Sequence, residues 1–94
     1  LRFDHFSITL APGALSESTP HEKGVIEHVV VISGALDLCL QGEWHLLQPG
    51  EGRRFAGDEA HAYRNRGVQA AHFHSLIHYP KEKTAGEPAA RQDD

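Results

Sequence analysis

The stretch Gly24-Val25-Ile26-Glu27-His28-Val29-Val30-Val31-Ile32-Ser33-Gly34 decides the fold. Val25 to Ser33 is rich in β-branched side chains, which suit the pleated backbone of a strand and crowd a helix. Val29, Val30, Val31 and Ile32 follow one another with no polar break, so both faces of this strand are expected to be buried. Gly34 ends the run.

Outward from it, the pattern is strands and turns. Toward the N-terminus, Leu15 to Gly24 carries Ser, Thr, Pro and Gly and reads as a loop with room for a short strand. Arg2 to Leu10 reads as a strand that Ala11-Pro12-Gly13 breaks. Toward the C-terminus, Ala35 to Leu40 sets Leu36, Leu38 and Leu40 on one face and Asp37 and Cys39 on the other. Gln41-Gly42 turns the chain into Trp44 to Leu47. Short extended pieces follow at Arg53 to Ala56 and His61 to Asn65, then a last strand from Val68 to Tyr79 that Pro80 stops. No segment has a long helical period. Short strands between regular turns imply an all-β sandwich or barrel over residues 1–80. The charged segment 81–94, with its Ala, Gly and Pro, is expected to be a flexible tail.

Ninety-four residues suit one domain, and so short a chain gains from a partner subunit. The formal charge of −4 gives no basic footprint for nucleic acid. Its longest apolar stretch, Val29 to Ile32, is far too short to span a bilayer. Cys39 is the only cysteine, which rules out an internal disulfide and favours a cytoplasmic setting. The chain starts at Leu1 and holds no Met, so a fragment of a longer protein is expected.

Eight histidines are the chemical signal: His5, His21, His28, His45, His61, His72, His74 and His78. Histidine is the commonest metal ligand and titrates near neutral pH. His5 and His45 stand alone in the sequence and read as surface or core residues.

His21, Glu27 and Gly34 have the spacing of the first cupin motif, with Lys23 where a second histidine usually stands. Gly50, His61 and Asn65 have the spacing of the second, with Ala56 and Asp58 in place of Pro and Gly. The chain therefore resembles the cupins, which implies a small jelly-roll β-barrel. In such a barrel alternate side chains point inward, so Glu27 shares a face with Val29 and Val31, and His61 with Tyr63 and Asn65. His21, Glu27 and His61 then make a candidate metal set. It suits Zn²⁺ first, with iron, manganese or nickel as alternatives. Lys23 is a candidate for the acidic group of a ligand and Tyr63 for lining its cavity. On the last strand His72, His74, Leu76 and His78 share one face and Phe73, Ser75, Ile77 and Tyr79 the other. A tight hairpin at Arg66-Gly67 would turn the histidines inward and make His74 a further metal ligand; a loop one residue longer would turn Phe73 and Ile77 inward instead.

The wording around Glu27 and from His61 to Asn65 resembles the C-terminal cupin of bacterial helix-turn-helix regulators of the XRE type. That resemblance implies a small-molecule-sensing, dimerising domain whose contact with DNA runs through an N-terminal domain outside this chain. The most similar-looking regulators act in sulfur metabolism, which implies a sulfur-containing amino acid as effector. A small metal-dependent cupin enzyme, a dioxygenase or isomerase, is the alternative, and a metal-free dimerisation module a third.

Overall fold

Eight strands and no helix form among residues 2–80, the part of the chain that the computed structural model describes. The tail expected at 81–94 lies outside the described residues. The strands are β1 (Phe3–Leu10), β2 (Leu15–Ser18), β3 (Ile26–Ser33), β4 (Leu36–Leu40), β5 (Glu43–Leu47), β6 (Gly52–Ala56), β7 (His61–Arg64) and β8 (Ala71–His78). They pair antiparallel in two four-stranded sheets: a long-strand sheet in the order β1-β8-β3-β6 and a short-strand sheet in the order β2-β7-β4-β5. Apart from the β4–β5 hairpin, every connection crosses from one sheet to the other, as in a jelly roll. That hairpin turns on Gln41 and Gly42, both at positive φ (52° and 81°), the geometry of a two-residue primed turn.

The inner faces of the sheets meet over Val29, Val31, Leu36, Leu38, Leu47, Tyr63 and Phe73. Burial on β8 alternates strictly, with Ala71, Phe73, Ser75 and Ile77 buried and His72, His74, Leu76 and His78 half-buried. The same alternation corrects the reading of β3. Val29 and Val31 are fully buried, but Val30 is only half-buried and Ile32 is 47% exposed. A sheet of this two-layer fold has a partner on one face only, so an unbroken apolar run does not bring a second cover.

The last strand is shorter than expected, because residues 65–70 form a crossing between sheets and Val68 stands almost wholly in solvent. Asn65 holds this crossing. Its buried amide donates to the carbonyls of Leu10 (3.0 Å) and Gln69 (2.7 Å), and its Oδ1 accepts from the Gly67 N–H (2.9 Å). Gly34 stands close by at φ 74°, and a side chain there would run into the Ala70 carbonyl.

Candidate metal and effector site

Glu27 enters the interior because it keeps step with Val29 and Val31 on β3, and it is 2% exposed. A carboxylate placed there needs partners. The Tyr63 hydroxyl and the Ser75 hydroxyl (2.7 Å) both donate to its Oε2. Oε1 faces two imidazoles, with His61 Nε2 at 3.3 Å and His21 Nε2 at 3.7 Å.

His61 opens β7. Its Nδ1–H donates to the Glu59 carbonyl at 2.8 Å, which turns Nε2 toward Glu27. That Nε2 is buried and has no hydrogen-bond partner. His21 lies on the β2–β3 loop, which is fastened to the turn after β6. The His21 N–H donates to the Gly57 carbonyl (2.9 Å), the Gly57 N–H to the Val25 carbonyl (2.8 Å), and the Gly24 N–H to the Asp58 carboxylate (2.9 Å). A side chain at Gly57 would press on both Val25 and the His21 ring.

Burial works to raise the Glu27 carboxyl, but the nearby His61 imidazole and the hydrogen bonds from Tyr63 and Ser75 outweigh it and hold the group below its usual value. Burial works to lower His61, yet the contacts with Glu27 and the Glu59 carbonyl raise it. Burial and the neighbouring Glu27 charge push the Tyr63 phenol far up, so it serves as a donor.

His21, Glu27 and His61 each offer one ligand atom, and these atoms lie within 4.8 Å of one another. Two imidazole nitrogens and one carboxylate oxygen form a set that holds Zn²⁺ or a divalent iron, manganese or nickel ion with positions to spare. The unpartnered His61 Nε2 fits that use, since a coordinated ion supplies what the atom lacks. His21 and Glu27 of the cluster line a cavity of about 220 Å³. Phe6, Ile8 and Leu10 of β1 form an apolar wall and Ser16 and Ser18 of β2 a polar one. Both strands are sheet edges, so the cavity sits where the two layers part.

The other sequence candidates fall outside it. His74 points away from the cavity, because β7 and β8 belong to different sheets and no hairpin joins them. Phe73, Ser75 and Ile77 take the inner face instead. His74 rests against His5 and His72 on the outer face, so His5 is not isolated. His28 and His78 stack edge-on there as well. Lys23 is exposed in the turn that the Val25 N–H closes on the Glu22 carbonyl (3.3 Å), and it does not line the cavity. Tyr63 does line it. Sequence reasoning missed three supporting groups: the Ser75 hydroxyl, the Glu59 carbonyl and the Asp58 carboxylate. Ser75 had a visible signal, a lone hydroxyl between Phe73 and Ile77 on an apolar face.

Comparison with known proteins places this geometry. The family profile described as "Cupin domain" matches residues 6–77. The HTH-type transcriptional regulator SutR of Escherichia coli (strain K12) is 70% identical over 81 residues, which are 86% of this chain and 46% of that protein. The chain thus spans about half the length of that relative. The crystal structure of the cupin domain of an XRE family transcriptional regulator from Enterobacter cloacae is 71% identical. It matches with a TM-score of 0.83 over 84% of this chain and 83% of that one. An HTH_3 family transcriptional regulator from Vibrio cholerae is 35% identical, with a TM-score of 0.79 over 84% of this chain and 44% of that one.

Proposed function

The chain belongs to the cupin domain family, and on that premise we propose that it is the effector-sensing and dimerising domain of a helix-turn-helix transcription regulator. The observation that carries this reading is the convergence of His21, Glu27 and His61, the first two on the wall of a cavity and the third buried beside them with its Nε2 left without a partner. The relatives described above are transcription regulators, which favours sensing over turnover.

His21, Glu27 and His61 would hold a divalent metal, Zn²⁺ first, and the ion when bound supplies a Lewis-acid position for an anionic group of the effector. Tyr63 and Ser75 keep the Glu27 carboxylate aimed and ionised. Phe6, Ile8 and Leu10 give the cavity an apolar side. With Lys23 outside, no Lys or Arg among the described residues lines the cavity. A small molecule with a metal-binding polar end and a short apolar or soft end suits these walls, and a sulfur-containing amino acid is one such molecule. Occupancy would be felt by β1, which carries the apolar wall. A ligand shifts a regulator only through different affinities for its two states, so the effector must favour one arrangement of the dimer. Contact with DNA would run through a helix-turn-helix domain ahead of this one, in a cytoplasmic regulator.

The test is metal content of untagged protein by elemental mass spectrometry, followed by calorimetry with cysteine, homocysteine and methionine. About one ion per chain, lost in Glu27→Ala and His61→Ala, together with metal-dependent binding of one of these amino acids, is the expected result. Unchanged metal content in both variants would overturn the proposed ligand set.

A further inference from the structure

We infer that His5 and His74 form a second transition-metal site, on the outer face of the long-strand sheet and independent of the cluster around Glu27. In the β1–β8 ladder Ser7 lies opposite His74 and His5 opposite Leu76, so the two histidines are diagonal neighbours. Ile8 and Phe73 point into the interior, and His5 and His74 therefore point out. Their rings meet at 4.8 Å between centroids, and His5 Nε2 is 3.2 Å from His74 Nδ1.

That gap has a chemical meaning. Zinc bound at 2.0–2.1 Å by two imidazoles in a tetrahedral shell sets their nitrogens about 3.3–3.4 Å apart. The pair already has the spacing of two adjacent ligands. In the metal-free protein one nitrogen donates its hydrogen to the other; an ion takes the place of that hydrogen after a modest turn of each ring. The exposed His5 side chain is free to make that turn. Two hydrogen-bonded strands hold both Cα positions in register.

The surroundings select the class of ion. The outward positions of β1, β8 and β3 carry no Asp, Glu, Lys or Arg, and among the described strands the nearest outward cation, Arg54, is on β6 beyond β3. Without a carboxylate, this pair suits Zn²⁺, Cu²⁺ or Ni²⁺ and not Mg²⁺ or Ca²⁺. His72 stands next in the row, its ring 5.5 Å from His74, with its Nε2 taken up by the Ser7 hydroxyl at 2.6 Å. It flanks the pair and is not a third ligand. A bound ion would keep open positions for water or an outside donor.

The experiment is a Zn²⁺ titration of the 94-residue chain in chelator-free buffer near neutral pH. Bound ions are counted by equilibrium dialysis and the imidazoles followed by ¹⁵N NMR. Parent protein should bind one more ion per chain than His5→Gln/His74→Gln. Each single outer variant should weaken that ion at least about tenfold, the least that even loss of a supporting partner costs. In His61→Gln the outer ion should remain, and Zn²⁺ should shift the His5 and His74 resonances first. If the inner cluster takes no ion, the count falls from one to none in the outer double variant and the inference stands. Equal counts and affinities in parent and outer double variant would overturn it. So would Zn²⁺ shifts spread evenly over His28, His72 and His78. Both substitutions sit on the surface, and an unchanged urea midpoint shows that the fold is intact.

Discussion

Histidines lie on both sides of the long-strand sheet, its own on the outer face and those of β7 and the β2–β3 loop on the inner, and the two groups live by different rules. On the cavity side Glu27 of this sheet faces His61 and His21, and His61 is fixed in one orientation by the Glu59 carbonyl. On the outer side His5, His28, His72, His74 and His78 pair with one another or with a hydroxyl. The inner contacts raise the affinity of His61 for its proton. His28 is lowered, first by desolvation and then by the charges of His78 and Arg54. One residue type thus acquires opposite tendencies across the thickness of a single sheet. The number of histidines says nothing about this; what each ring faces decides it.

The sharpest way to break that comparison lies on β8. Phe73→Ala empties a fully buried position and should cost about 3–5 kcal/mol in urea denaturation. Leu76→Ala, on the opposite face of the same strand, should cost well under half of that. Equal costs would mean that a second layer covers the outer face. Next in size is Asn65→Ala, which leaves the Leu10 and Gln69 carbonyls without their donor and should cost about 2–4 kcal/mol by the same measurement.

A smaller effect concerns pH in metal-free protein. Glu27, held below 4.5, contributes stability above that pH and loses it as pH falls through its folded value. His61, held above 6.5, contributes fully below that pH and loses its contribution as pH rises through its folded value. The pair therefore favours the window between 4.5 and 6.5. His28 works the other way, costing stability as pH falls from 6.5 toward its lowered value. Urea midpoints across pH 4–8 should show His61→Gln removing a gain on acidification and His28→Gln removing a loss. The reverse pattern would invert the assignment of the two sides. Smallest of all, His72→Asn should change stability by less than about 0.5 kcal/mol in the same assay.

Much of the barrel could be read from local chemistry. The β-branched run after Gly24, the turn at Gln41-Gly42 and the breaks at Pro12 and Pro80 each carry their own backbone preference, and the strands lie where these signals put them. The inner cluster was legible because residue spacing and strand alternation agreed on Glu27 and His61. The faces of β8 were not, since they depend on whether the chain turns back on β7 or crosses to the other sheet. That choice is settled by distant partners, β1 and β3, and by Asn65 reaching Leu10. Lys23 misled for a related reason. Residue spacing counts positions along the chain, whereas the turn at Glu22 to Val25 sends position 23 into solvent.

The β1–β8 ladder brings Phe3 opposite His78, while the Tyr79 N–H donates to the Arg2 carbonyl (3.0 Å) and the Arg2 guanidinium lies 4.0 Å over the Tyr79 ring. The described chain therefore enters and leaves the barrel at one corner. Traction applied between residues 2 and 80 would load this ladder as a zipper, opening one rung at a time instead of shearing all of them together. The first rungs to part would lead toward Phe6, Ile8 and Leu10, so a mechanical pull at that corner would reach the apolar wall of the cavity before it reached Glu27.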